Sequence, residues 1–164
     1  MDHEFKPDLI TTTTTIDVAL QHELPTKDLS CGAQLFIWSL RHWLVATRMK
    51  QPPPLAMREV YQVAGCVEAA TLIDELMCLV GVASKRRIEV RCCCRKTLSQ
   101  DEMLLLSCMR LLQQNESAKA AEVLDTLMMP ALSRSVCRFA DQYVVLLTDE
   151  GLSLIAPTKL KVVL

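Results

Sequence analysis

The stretch Ser99-Gln-Asp-Glu102, followed by Met103 through Leu112, constrains the fold more than any other part of the chain. A Ser three residues ahead of a Glu lets each side chain bond the other's backbone amide, so a helix starts at Ser99. Behind it Leu104, Leu105, Cys108, Leu111 and Leu112 recur at helical spacing and give that helix one apolar face. The same period runs through most of the chain. It predicts a mostly α protein: a compact helical bundle of about six helices in two layers, with room for a small two-stranded β ribbon.

The first helix is predicted from Ser30 to Arg48, with Phe36, Leu40, Trp43, Leu44 and Thr47 as a stripe that Ile37 and Trp38 widen. Pro52-Pro53-Pro54 stops it, because proline lacks an amide hydrogen and drives its predecessor out of the helical region. Two helices follow over 55–64 and 66–82, broken at Gly65 and closed at Gly81. Beyond the capped helix, which ends near Asn115, a further helix starts with Ser117 as its cap and buries Ala121, Leu124, Leu127 and Met128. Pro130 separates it from the last, where Leu132, Val136, Phe139, Ala140, Tyr143 and Leu147 share a face and Gly151 forms the C-terminal cap.

Residues 84–96 change character. Ile88 and Val90 alternate with charges, which reads as a short strand or extended connector. Leu152 to Ala156 is predicted to pair with Ile88 to Cys92 as the ribbon. A hairpin over 143–156 turning at Asp149-Glu150-Gly151 is the alternative, and the long helical spacing argues against it. The organisation expected is therefore a flexible tail over 1–28, with its run Thr11 to Thr15, and one domain over 29–157. That domain divides into a first helical layer (29–83), a basic connector (84–98) and a second helical layer (99–151), with a C-terminal tail at 158–164.

Composition narrows the function by exclusion. Only four glycines occur (Gly32, Gly65, Gly81 and Gly151), too scattered for a phosphate-cradling loop. The net charge of −1 creates no global field toward nucleic acid or anionic lipid. No run of eighteen apolar residues suggests a membrane span, and the first twenty residues do not read as a secretory signal. Eight cysteines in that setting point to a reducing, cytoplasmic environment and free thiols.

Three features could carry chemistry. Phe36, Trp38 and Trp43 form an aromatic face broader than one packing seam requires. Trp38 and Trp43 are five positions apart, roughly 140° around a helix, so either one reaches the core while the other covers a partner, or the helix is buried on two sides within its own domain. Lys85, Arg86, Arg87, Arg91, Arg95 and Lys96 place six cations within twelve residues, with Glu89 the one anion among them. This strip suits an anionic partner or the acidic faces of its own fold. Cys92 and Cys94 would project to one side of an extended backbone and could offer two thiolates to zinc or copper(I), yet no second spaced pair completes a site. His42 is the one histidine inside a helix, and any thiol–imidazole pair would have to recruit it.

The reading is thus a small non-enzymatic cytosolic protein that acts by protein–protein interaction, as an adaptor, regulator or complex subunit, without a cofactor. Self-association is compatible with it. The alternatives are a nucleic-acid-binding regulator using 85–96, with Arg134, Arg138 and Gln142 of the last helix, and a thiol-based metal or redox sensor.

Overall fold

The structure is a computed structural model that describes residues 24–156. The tails predicted over 1–28 and 158–164 therefore lie outside the described residues, except for 24–28. Those five belong to the domain: a 3-10 turn at Thr26–Asp28 is tied down by Thr26 N–H donating to the Lys96 carbonyl (2.8 Å) and Leu98 N–H to the Leu24 carbonyl (3.0 Å).

Among the described residues there are six α-helices: α1 (Cys31–Arg48), α2 (Pro53–Val63), α3 (Ala69–Ala83), α4 (Gln100–Gln113), α5 (Ser117–Asp125) and α6 (Pro130–Asp149). The capping box is present at α4. Glu102 N–H donates to Ser99 Oγ (3.0 Å) and Ser99 N–H donates to the Glu102 carboxylate (2.9 Å). Helices α1 to α3 pack on one another, as do α4 to α6, and the two sets meet chiefly where α3 lies along α6. Phe36, Leu40, Met57, Tyr61, Ile73, Leu76, Leu106, Leu124 and Tyr143 are fully enclosed between them.

Several boundaries differ from the sequence reading. Pro53 and Pro54 do not merely follow α1; they occupy the first turn of α2, where a missing amide hydrogen costs nothing. Gly81 lies inside α3 rather than at its end. Ser117 is the first residue of α5, and Glu116 holds the cap position. Gly151 is at φ +71° and closes α6, with Gly151 N–H on the Thr148 carbonyl and Leu152 N–H on that of Leu147. Lys50 and Asn115, both at positive φ, end α1 and α4 in the same way without being glycine.

No ribbon forms; the described residues contain only two isolated bridges, Pro25 with Thr97 and Ser84 with Met128. Several of the backbone groups that would have paired are already occupied, mostly by side chains. Glu89 and Arg91 amides donate to the carboxylates of Asp101 (2.7 Å) and Glu102 (3.1 Å). On the other segment, Leu154 N–H donates to Gln113 Oε1 (2.7 Å) and Gly32 N–H to the Ser153 carbonyl (3.1 Å). Satisfied backbone has no reason to seek a strand partner.

Candidate functional site

The connector between Ser84 and Leu98 is fastened along its length, and several of its cations take part in the fastening. Lys85 N–H bonds the Leu127 carbonyl (3.0 Å) and Lys85 Nζ reaches the Asp125 carbonyl (2.7 Å). Arg86 forms a fork with Asp101 (2.8 and 2.7 Å). Arg91 is largely covered and donates to Thr97 Oγ1 (2.6 Å). These three bond groups of the fold, although Lys85 and Arg86 remain exposed like Arg87, Arg95 and Lys96. The expected strip is therefore exposed except at Arg91, with half of its cations tied to the fold.

The outward Arg87 borders a groove of about 520 Å³. Helix α1 supplies Trp43, Leu44 and Arg48, α3 supplies Met77 and Val80, and the connector supplies Ile88 and Val90. The floor is apolar, and Arg48, Arg86 and Arg87 stand around it against one carboxylate, Glu89. The Trp43 indole is held in place because Nε1 donates to Asp74 Oδ1 at 2.7 Å. Two features that the sequence shows separately, the tryptophan helix and the basic connector, thus border one concavity.

Trp38 lies elsewhere. It lines a smaller hollow of about 210 Å³ with Lys27, Gln34, Arg41, His42, Cys93 and Arg95. The two tryptophans consequently serve different hollows, as their spacing around the helix demands. Phe36 serves neither. It is fully buried, 5.9 Å from the Tyr143 ring centroid, and the expected surface anchor is a core residue.

The cysteine triplet is a turn and not the extended segment expected: Arg95 N–H closes on the Cys92 carbonyl at 3.1 Å. Cys92 and Cys94 are joined to each other as a disulfide, so they present no pair of thiolates to a metal. Among the described residues no group of three or more His, Cys, Asp or Glu is placed to hold an ion. Cys93 turns the other way. Its Sγ lies 3.7 Å from His42 Nδ1 and 3.9 Å from Nε2, and the imidazole stacks on Trp38 with centroids 4.0 Å apart. The sequence names His42 as the only usable partner for a thiol, but a separation of 51 residues hides which cysteine reaches it. Cys108 and Cys137 are buried among apolar neighbours, as their helical stripes imply.

Compared with family models, curated proteins and solved structures, the chain matches none, so its own geometry carries the functional reading. No helix among the described residues is long and apolar enough to cross a membrane.

Proposed function

We propose that this protein is a non-enzymatic binding module, an adaptor, regulator or complex subunit, that holds an acidic, apolar-bearing segment of a protein partner in the Trp43 groove. One observation carries the reading: an open apolar floor of Trp43, Leu44, Met77, Val80, Ile88 and Val90 is rimmed by Arg48 and Arg87, with Arg86 already paired to Asp101 and Glu89 the one carboxylate in the lining. An occupant with large apolar side chains would cover that floor, and flanking carboxylates would complement Arg48 and Arg87. Nucleic acid draws less support as the occupant. Lys85, Arg86 and Arg91 already bond groups of the fold, which reduces the cations of the connector that could meet phosphates.

A peptide-display selection against the intact protein tests this. The expected result is enrichment of sequences in which Asp or Glu flank large apolar residues, with binding that weakens as salt is added. The paired change Arg48→Glu and Arg87→Glu should abolish that binding while leaving the helical circular dichroism intact. Selected sequences without acidic residues, or binding indifferent to the paired change, would overturn the reading. Retention of duplex or single-stranded oligonucleotides at low salt would favour the nucleic-acid alternative instead.

A further inference from the structure

Cys93 and His42 are brought together by the clamp that ties the connector to α1. Arg41, next to His42 on α1, is buried and paired with Glu102. Its remaining donors reach across to the connector, Nη1 to the Arg95 carbonyl (2.6 Å) and Nη2 to the Thr97 carbonyl (2.9 Å). The turn at Cys92 to Arg95 is thereby pinned against the helix that carries the imidazole. Cys93 stays exposed at its tip, while the bridge between Cys92 and Cys94 occupies the flanking sulfurs.

The protonation pattern of His42 follows from its partners. Nδ1 lies 2.8 Å from the Trp38 carbonyl, and a carbonyl oxygen only accepts, so Nδ1 carries the hydrogen. In the neutral ring Nε2 then bears a lone pair. The Cys93 sulfur lies 3.9 Å from it, slightly farther than from Nδ1 at 3.7 Å, so a small turn of the thiol is needed for it to donate to Nε2. Stacking on Trp38 fixes the ring plane. A thiol beside an imidazole base is the arrangement in which the base can take the thiol proton as the sulfur attacks.

The adjoining hollow indicates what could approach. At about 210 Å³ it suits a small molecule better than a chain segment. Lys27 and Arg95 line it with the Trp38 ring, the Gln34 amide and the Thr26 hydroxyl, whereas Arg41 already has its carboxylate. Cationic lining favours an anionic visitor.

We propose that Cys93 is a thiol-exchange site that takes up small carboxylate-bearing disulfides as mixed disulfides, with His42 as its proton acceptor. In the exchange the Cys93 proton passes to His42 Nε2 and the thiolate attacks one sulfur of the incoming disulfide. A bond forms between Cys93 Sγ and that sulfur, the incoming S–S bond breaks, and the departing thiolate recovers the proton from His42. The incoming disulfide is the oxidant and leaves half of itself as a free thiol, so atoms and electrons balance.

The test exposes the intact protein, without reductant, to oxidised glutathione and separately to the diamine disulfide cystamine. Adducts are timed by intact mass and located by peptide mapping. The expected result is a single adduct on Cys93, formed about tenfold faster with oxidised glutathione than with cystamine. Replacing Lys27 and Arg95 by Ala should remove that preference. His42→Asn keeps a donor for the Trp38 carbonyl but has no basic nitrogen, and His42→Phe keeps a ring on Trp38. Each should slow the adduct about tenfold at neutral pH while the melting temperature stays near that of the parent. First labelling at Cys31, Cys78, Cys92 or Cys94 would overturn the proposal. So would an unchanged rate in whichever His42 variant stays folded.

Discussion

The Arg41 guanidinium lies along the Glu102 carboxylate in a two-point pair, Nε to Oε1 at 2.8 Å and Nη2 to Oε2 at 2.9 Å, with both side chains buried. Glu102 is also the third residue of α4 and accepts from the Ser99 and Arg91 amides. One carboxylate thus caps a helix, holds the connector and neutralises the arginine that ties the connector to α1.

Removing one side of this pair strands a buried charge. Arg41→Met or Glu102→Gln should each lower unfolding stability by about 3–5 kcal/mol, read by urea titration. Buried pairs are often replaced by apolar residues at no loss, but here Ser99 N–H and the Arg95 carbonyl would lose partners. The double change Arg41→Met with Glu102→Leu should therefore remain about 2–4 kcal/mol below the parent. Recovery to parental stability would show that the pair is only a local matched charge.

Tyr61 and Tyr143 meet at 2.8 Å in the core, and Ser39 lies 2.6 Å from Tyr61. Because Ser39 Oγ must donate to the Leu35 carbonyl, the hydrogens run in one direction: Tyr143 to Tyr61, Tyr61 to Ser39, Ser39 to Leu35. Tyr143→Phe loses one link and should cost about 1 kcal/mol, whereas Tyr61→Phe leaves the Tyr143 hydroxyl without an acceptor and should cost about 1–3 kcal/mol. Burial pushes both phenols above their ordinary range. The folded chain then keeps protons that the unfolded chain releases above about pH 10, so stability falls as pH rises past that point. These are the chain's only tyrosines. Tyrosinate absorbance should therefore appear together with loss of helical circular dichroism, and not before it.

Much of the fold is legible because helix starts and apolar periods are local. The Ser99 to Glu102 box, the Ser30 cap and the glycine ends at Gly65 and Gly151 need only neighbours to be recognised. Lys50 is harder to foresee, since its left-handed backbone contradicts the preference of a Lys. Asp101 and Glu102 read as ordinary first-turn carboxylates, yet both are buried by partners 11 to 61 residues away. The ribbon fails for the same reason, because side chains of α4 claim the amides of Glu89, Arg91 and Leu154. At the candidate sites, residue types are visible in sequence and their grouping is not. Trp43 and Arg87, like Cys93 and His42, are neighbours only after the connector folds back across α1.

Acid should loosen the connector before the core. The fork from Arg86 holds the Asp101 carboxyl below its usual range, and the Glu89 amide adds to this while burial opposes it. A lowered native pKa contributes stability above the unfolded value of about 4, and that contribution is lost as pH falls through the native one. The melting temperature should therefore drop as pH falls below about 4, and Asp101→Asn should flatten that drop while lowering stability at neutral pH. An Asp101→Asn protein with the parental acid profile would remove this carboxylate from the acid response.

Gly32 separates two opposed effects. In an exposed helix position Gly→Ala stabilises by about 0.5–1 kcal/mol, through helix propensity and reduced freedom of the unfolded chain. At Gly32 an added Cβ would lie 2.7 Å from the Ser153 carbonyl oxygen and 2.9 Å from that of Leu152, both backbone atoms. Those carbonyls belong to the segment that buries Leu154 and bonds Gln113 and Arg110 of α4, so it cannot yield without breaking these links. Overpacking of this kind costs about 1–3 kcal/mol and should outweigh the gain in propensity. Gly32→Ala is expected to melt lower than the parent, with faster amide exchange at Leu154 than in α3. A rise in melting temperature would mean that residues 152–155 do not press on the start of α1 in solution.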